Sequence, residues 1–245
     1  MIYITGDTHI PMDIDKLNAM NFPEQASMTK DDYVIICGDF GLLFNYKETG
    51  SAVPACPEDT CWTTRELEWY DWLNDREFTT LWIDGNHENF DRLSQYPVTE
   101  WCGGKVQKIS DSIIHLMRGQ IFDIDGYSIF TLGGARSHDR GIATGTEDTD
   151  AHKWWWSDEM PSSDEYEEAF ANLERHNGKV DFIITHEVPG SILQIDVRRQ
   201  NELSRKLWTI HDNTDFDRWY CGHYHKDQEY GKVRMLYRDV IRIGL

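Results

Sequence analysis

Five short apolar runs, each stopping at a residue able to ligate a metal or move a proton, constrain this chain more than any other feature. Met1 to Thr5 stops at Gly6-Asp7-Thr8-His9, and Tyr33 to Cys37 stops at Gly38-Asp39. Leu81 to Asp84 gives way to Gly85-Asn86-His87-Glu88, Val180 to Ile184 to Thr185-His186, and Asp217 to Cys221 to Gly222-His223-Tyr224-His225. Short runs of this kind read as buried strands. Any one stop has an ordinary explanation, since Asp after Gly is a turn former. Five in one chain are hard to reach by chance. Open α/β sheets collect their ligands outside the carboxyl ends of the strands, so the five stops are expected to meet at one edge.

The rest of the chain arranges itself around those runs. A helix is expected over Asp13 to Met20, ended by Pro23. Residues 40–62 form a long loop with Gly50, Pro54 and Pro57, a length that is often functional. Thr63 opens a crossover helix with Glu66 at the capping-box offset, and Leu67, Tyr70 and Leu73 are expected on its inner face. From Trp101 to Gly134 the apolar runs Val106–Ile109, Ile113–Met117, Gln120–Ile124 and Tyr127–Leu132 read as an antiparallel meander, with Asp125-Gly126 as a hairpin turn. The stretch Gly133 to Arg140 is Gly-rich and basic. A polar segment follows over 141–162, interrupted by Trp154-Trp155-Trp156. Helices are expected over Ser163–His176, with Gly178 suited to its C-terminal cap, and over Arg198–His211. Strands Val233–Tyr237 and Val240–Ile243 close the chain.

With 245 residues, of which 13 % are aromatic, the chain can bury a sizeable core. The net charge of −19 argues against a protein that grips long nucleic acid by its phosphates. It does not disfavour a local metal site, which brings its own positive charge. The five cysteines show no CxxC spacing and read as reduced thiols of a cytoplasmic chain; Cys56 and Cys61 could also form a metal half-site or a disulfide. No long apolar run suggests export or membrane insertion.

Two Asp, one Asn and four His make a mixed oxygen and nitrogen set suited to a pair of divalent transition metals. Two such ions about 3.5–4 Å apart can clamp the attacking and leaving oxygens of a displacement at phosphorus. Asp-x-His, Gly-Asp, Gly-Asn-His-Glu, Thr-His and Gly-His-x-His, in this order and at these spacings, resemble the calcineurin-like metallophosphoesterase superfamily. The likeness runs from residue 6 to residue 225. It implies a single domain over 1–245, a four-layer α-β-β-α sandwich of two mixed β-sheets flanked by helices. It implies that Asp7, His9 and His225 hold one metal, that Asn86, His186 and His223 hold the other, and that Asp39 bridges them. It also implies that His87 donates a proton to the leaving oxygen or stabilises the transition state, and that the nucleophile is a metal-bridging hydroxide. The cofactors implied are two divalent ions, Mn, Fe or Zn. The substrate implied is a phosphorylated small molecule or nucleotide, monoester or diester.

The chain departs from the superfamily at one point. Protein phosphatases of this type carry Gly-Asp-x-x-Asp-Arg-Gly at the second motif, and here Leu42 and Leu43 stand at the Asp and Arg positions. A Ser/Thr protein phosphatase is therefore disfavoured, and something else must orient His87. The segment Gly133 to Pro161 resembles a group of small bacterial and phage metallophosphoesterases. With the phosphate-gripping Arg missing, Arg136, with His138 and Arg140, is a candidate for binding the substrate phosphate; the alternative is that the two arginines pair with surface acids. The three tryptophans are expected to pack their segment onto the body. His115, His138, His152, His176 and His211 lie outside the five motifs, and the acids at 158–168 read as a solvated helix start. Two further readings stand beside the hydrolase: a scaffold that keeps the fold without catalysis, and a nuclease acting on short nucleic acid.

Overall fold

The computed structural model describes residues 1–44, 62–137, 155–193 and 200–244. Strands β1 (Ile2–Thr5), β2 (Tyr33–Ile36) and β3 (Thr79–Trp82) pair in parallel. Strands β4 (Val98–Trp101), β5 (Gly104–Ser110) and β6 (Ile113–Leu116) extend that sheet, with β6 parallel to β3. Strands β7 (Gln120–Ile124), β8 (Tyr127–Leu132), β9 (Phe182–Thr185), β10 (Arg218–Cys221), β11 (Gln228–Tyr230) and β12 (Val233–Met235) make the second sheet. Strand β13 (Val240–Ile243) returns to pair antiparallel with β1. The orders are β13-β1-β2-β3-β6-β5-β4 in the seven-stranded sheet and β11-β12-β10-β9-β8-β7 in the six-stranded one.

Alternation along the strands builds the layers. Ile2, Ile4, Ile35, Leu81 and Ile83 face Phe122, Ile129, Phe182 and Ile184 between the sheets. The opposite face of the first sheet, Tyr3, Val34, Ile36 and Trp82, packs with Leu17, Phe22, Leu73 and Phe78. On the second sheet, Phe130, Ile183 and Trp219 pack with Tyr166, Leu173, Leu203 and Leu207. Strands buried on both faces read as continuous apolar runs because neither face needs a polar residue. The outer layers carry helices α1 (Thr64–Asn74), the short α2 (Phe90–Leu93), α3 (Ser163–Arg175) and α4 (Glu202–Asn213). The architecture is the expected four-layer sandwich of two mixed sheets.

Several local expectations are corrected. The helix expected over Asp13–Met20 is a four-residue 3-10 turn, Ile14–Leu17. Asp13 makes no capping bond, because its carboxylate is bonded to His9 and Tyr237 instead. Lys16 is buried and donates to the carbonyls of Gly6, Asp7 and Tyr237. The meander is divided: β4, β5 and β6 lie in one sheet, β7 and β8 in the other, because β6 fills the open edge of β3. The capping box of α1 is present, yet Leu67 is exposed and Glu66 turns inward to meet the buried Arg92 at 2.6 Å. A buried guanidinium needs a charge partner more than the helix needs another apolar contact. Among the acids of 158–168, Glu159 is buried and Glu165 caps α3. Cys37, Cys102 and Cys221 are free thiols; Cys56 and Cys61 lie outside the described residues. Among the described residues no helix is long and apolar enough to cross a membrane.

A buried ionic network ties the carboxyl end of β3 to the outer layer. Arg118 donates to Asp84 Oδ2 from Nε (2.8 Å) and Nη2 (2.6 Å), and to the Asp158 carbonyl (2.7 Å). His115 stands 3.2 Å from Asp84 Oδ1 and 3.0 Å from Gln107 Oε1. Burial alone would raise the Asp84 carboxyl, but the Arg118 charge and the His115 hydrogen bond hold it at about 2. A depressed carboxylate contributes stability in full above its unfolded value near 3.8, and that contribution disappears as pH falls through about 2. Removing one partner of a buried pair strands the other, so Asp84→Ala is expected to lower the unfolding free energy at neutral pH by about 3–5 kcal/mol in urea titrations. The difference between wild type and variant should shrink as the titration is repeated from pH 4 to pH 2.

Candidate metal centre

All five strand ends converge. The carboxyl ends of β1, β2 and β3 in one sheet meet those of β9 and β10 in the other, and bring Asp7, His9, Asp39, Asn86, His87, His186, His223 and His225 to one place. Close approach explains the glycines that precede them. A Cβ on Gly85 would lie 2.0 Å from Asp39 Oδ1, and one on Gly222 would lie 2.1 Å from Asp7 Oδ1. The backbone is strained at the same spot: His9, Asp39, His223 and His225 have φ of 35°, 48°, 68° and 49°. Left-handed conformations at side-chain-bearing residues cost energy and cluster where function requires them.

Two overlapping groups of ligand atoms result. One donor atom from each of Asp7, His9 and His225 lies within 4.8 Å of the others, and the same holds for Asp7, Asp39 and His186. Asp7 is common to both groups, and Asp39 Oδ2, of the second, reaches towards the first, 3.2 Å from His9 Nε2 and 3.4 Å from His186 Nε2. His225 Nε2 is 3.0 Å from Asp7 Oδ2. The His223 ring packs 5.0 Å from that of His186. The His87 ring lies 5.9 Å from His9 and 6.4 Å from Phe44, and its backbone N–H donates to Asp39 Oδ1 at 2.8 Å.

The donor set fits a cation. Asn86 Oδ1 is buried with no hydrogen-bond partner, and Asp7 Oδ2 and His186 Nε2, also buried, meet only the other members of the cluster, His225 and Asp39. An unmade bond at a buried polar atom is expensive, typically about 1–3 kcal/mol, so an acceptor left open beside clustered carboxylates and imidazoles marks a ligand site. The imidazoles are held in the right tautomer. His186 Nδ1 bonds the Cys37 carbonyl at 2.6 Å and His9 Nδ1 bonds Asp13 at 3.0 Å, which leaves each Nε2 facing inward. Burial would raise Asp39, but His186 and His9 hold it well below the usual carboxylate range. Burial would lower His186, but the Asp39 and Asp7 carboxylates push it up to about 10. Burial and the charge of His186 depress His223. Burial pushes the Glu88 carboxyl well up, and its Oε1 accepts from the Phe40 N–H at 2.7 Å.

Asp13 and Tyr237 are absent from the sequence reading as site residues. Asp13 follows His9 by four residues, a spacing that could have suggested the pair. Tyr237 stacks on His225 at 4.7 Å and 14°, and no local signal in the sequence links residues so placed. Leu42 and Leu43 are buried in the outer core, so neither reaches the site.

The candidates of the Gly-rich loop fare differently. Arg136 is exposed and lines a second cleft of about 420 Å³ with Gln200, Asn201 and Arg205, apart from the cleft that His87 lines. His138 and Arg140 lie outside the described residues, as do Trp154, His152 and most of the 40–62 loop. Trp156 packs as expected: it is buried, lies 5.7 Å from Phe44, and donates to Asp91 at 2.8 Å. His115 belongs to the Asp84 network, His176 is the exposed C-cap residue of α3, and His211 lies on α4.

No curated protein matches the sequence. The model of the calcineurin-like phosphoesterases matches residues 1–227. With five motif loops meeting in a carboxylate and histidine cluster at the edge of two mixed sheets, this chain belongs to the calcineurin-like phosphoesterase family.

Proposed function

We propose that the protein is a hydrolase of phosphate esters that works with two divalent metal ions. The family membership supports metal-dependent phosphoester hydrolysis. The observation that carries the two-ion reading is Asp39 Oδ2, one oxygen within 3.4 Å of a histidine nitrogen from each ligand group. In this reading Asp7, His9 and His225 hold one ion, Asn86, His186 and His223 the other, and Asp39 bridges. Bound ions of the Mn, Fe or Zn type would supply Lewis acidity at the phosphoryl oxygens and lower the pKa of water.

The residues around the ions have separable tasks. His87 supplies a proton to the departing oxygen or a hydrogen bond to the phosphoryl group. The hydrogen bond from its own N–H to Asp39 ties the position of that loop to the bridging carboxylate. Asp13 fixes the ring of His9, and Cys37 fixes that of His186, so that the ligand nitrogens are aimed before any ion arrives. Phosphate esters of small molecules or nucleotides are the proposed substrates. The chain's net charge of −19 leaves long nucleic acid a poor partner.

A metal-loaded screen of p-nitrophenyl phosphate and bis(p-nitrophenyl) phosphate, followed by nucleotides and short RNA, tests the reading. Elemental analysis after Mn²⁺ loading should give about two equivalents per chain. Asp39→Asn should lose metal from both positions, and a retained full complement in that variant would remove its bridging role.

His87→Ala is expected to keep metal content near wild type and to lower turnover by ~10²–10⁴-fold, less for esters with good leaving groups. Loss of metal in His87→Ala would show the side chain to be a ligand instead.

Asp13→Ala should weaken metal binding by ~10–100-fold, the usual effect of removing a carboxylate behind a ligating histidine. Titration with a competing chelator measures it, and unchanged affinity would make Asp13 a structural partner of Tyr237 only.

A further inference from the structure

Beside the ligand cluster opens a cleft of about 450 Å³. His9, His87 and His225 line it where it adjoins the cluster, together with Ile10, Met12, Phe44 and Tyr237. Its volume is ample for an organic group of moderate size. Ile10 and Phe44 are buried as part of the wall, while Met12 stands 70 % exposed at the rim, an apolar side chain without a packing role in the core. Tyr237 stacks on His225 and continues the flat aromatic surface of the cluster. Neither lysine nor arginine is among the described lining residues. The one carboxylate, Asp13, is occupied by His9 and Tyr237, with Arg238 3.5 Å away.

The charge pattern selects what can occupy this space. A second phosphate or a carboxylate would lose its water against apolar walls, face Asp13, find Arg238 already paired with Asp13 and Asp15, and meet no lysine or arginine among the described lining residues, and an unpaired buried charge is strongly disfavoured. A ring or hydrocarbon group would lose nothing and would bury apolar surface against Phe44, Ile10 and Met12. His87 lies where the cleft meets the cluster, so a group leaving past His87 passes into it. We infer that the cleft holds the alcohol portion of the substrate, and that the substrates are phosphate esters of uncharged, apolar and preferably aromatic alcohols. This assignment rests on the reading of the cluster as a phosphoester-hydrolysing centre.

Phenyl phosphate and 3-carboxyphenyl phosphate test it, each as the monoester and as the methyl diester. Their leaving phenols are of similar acidity, so a rate difference reports the cleft rather than bond cleavage. The metal-loaded protein should favour the phenyl ester in kcat/KM by ~10-fold or more, the scale on which one pocket contact discriminates. Met12→Lys, which places a cation at the rim, should shrink that ratio by a similar factor with metal content unchanged. Binding of phenylphosphonate and 3-carboxyphenylphosphonate, followed by calorimetry, reads the same preference without turnover. Equal kcat/KM and equal binding of the paired compounds in wild type, or ratios unmoved by Met12→Lys, overturn the assignment while leaving hydrolysis standing. Selective phosphonate binding with no ester hydrolysed overturns the hydrolytic reading and leaves the cleft assignment standing. Absence of phosphonate binding altogether overturns the assignment.

Discussion

Asp39 is the point on which the site depends. Its carbonyl accepts the backbone N–H groups of Thr8 and His9, at 3.1 and 2.8 Å. Its Oδ1 accepts the N–H of His87, and its Oδ2 lies against His9 and His186. One residue therefore fixes the loops after β1, β3 and β9 to the loop after β2. Asp7 does similar work from the neighbouring strand, accepting the His223 N–H at 2.9 Å and standing beside His225. Each carboxylate is thus both a candidate ligand and the hydrogen-bond acceptor that shapes the next loop. The left-handed backbone at Asp39 and His9 is sustained by these bonds, because strained conformations persist only where the surroundings over-determine them.

The parallel pairing of the strands makes the convergence possible. β1, β2 and β3 run the same way, as do β9 and β10, so their carboxyl ends lie together while the connecting segments cross over outside the sheets. Burial on both faces of these strands makes the edge rigid. Rigid strand ends hold ligands more firmly than loops alone, since packing fixes the backbone from which each side chain projects. The Asp84–Arg118 network strengthens the same edge two residues before Asn86. Its acids and bases satisfy one another, so it adds no free charge beside the candidate ligands.

How much could be read from the sequence follows from the range of the forces involved. The parallel strands and the cap of α1 are written locally, in apolar runs and in the Thr63-to-Glu66 spacing, and each expectation held; the same spacing at Ser162 and Glu165 caps α3 and was open to the same reading. The five ligand stops are local too, which is why the cluster could be anticipated as a set. What failed was decided at a distance. Glu66 turned inward because Arg92, 26 residues away, is buried beside it. The segment after Asp13 stayed a short 3-10 turn because Asp13 and Lys16 are committed to Tyr237 and the β1 loop. The meander divided because the open edge of β3 lay in the other sheet from β8. Tyr237 became part of the site by a return of the chain that no spacing near His225 announces.

Leu42 and Leu43 show how a departure from a motif reshapes chemistry. Both are buried against the outer core, and the Leu43 carbonyl accepts from Arg92 at 2.8 Å. The loop after β2 is therefore anchored by apolar burial and by a cation that is itself sealed beneath it, paired to Glu66. A charged residue at either position would have to break that packing, at the cost of burying an unpaired charge. The loop instead delivers Phe44 to the mouth of the site, where it meets His87 and Trp156. Leu42 and Leu43 supply no charge for holding a phosphoryl group. In the proposed reading that charge comes from cations held at the carboxylate and histidine cluster, where Asn86 Oδ1 is buried without a hydrogen bond, and Phe44 lines the cleft beside it. The loop after β2 thus contributes Asp39 to the cluster and Phe44 to the cleft wall, from a backbone held by the buried Leu42, Leu43 and Arg92.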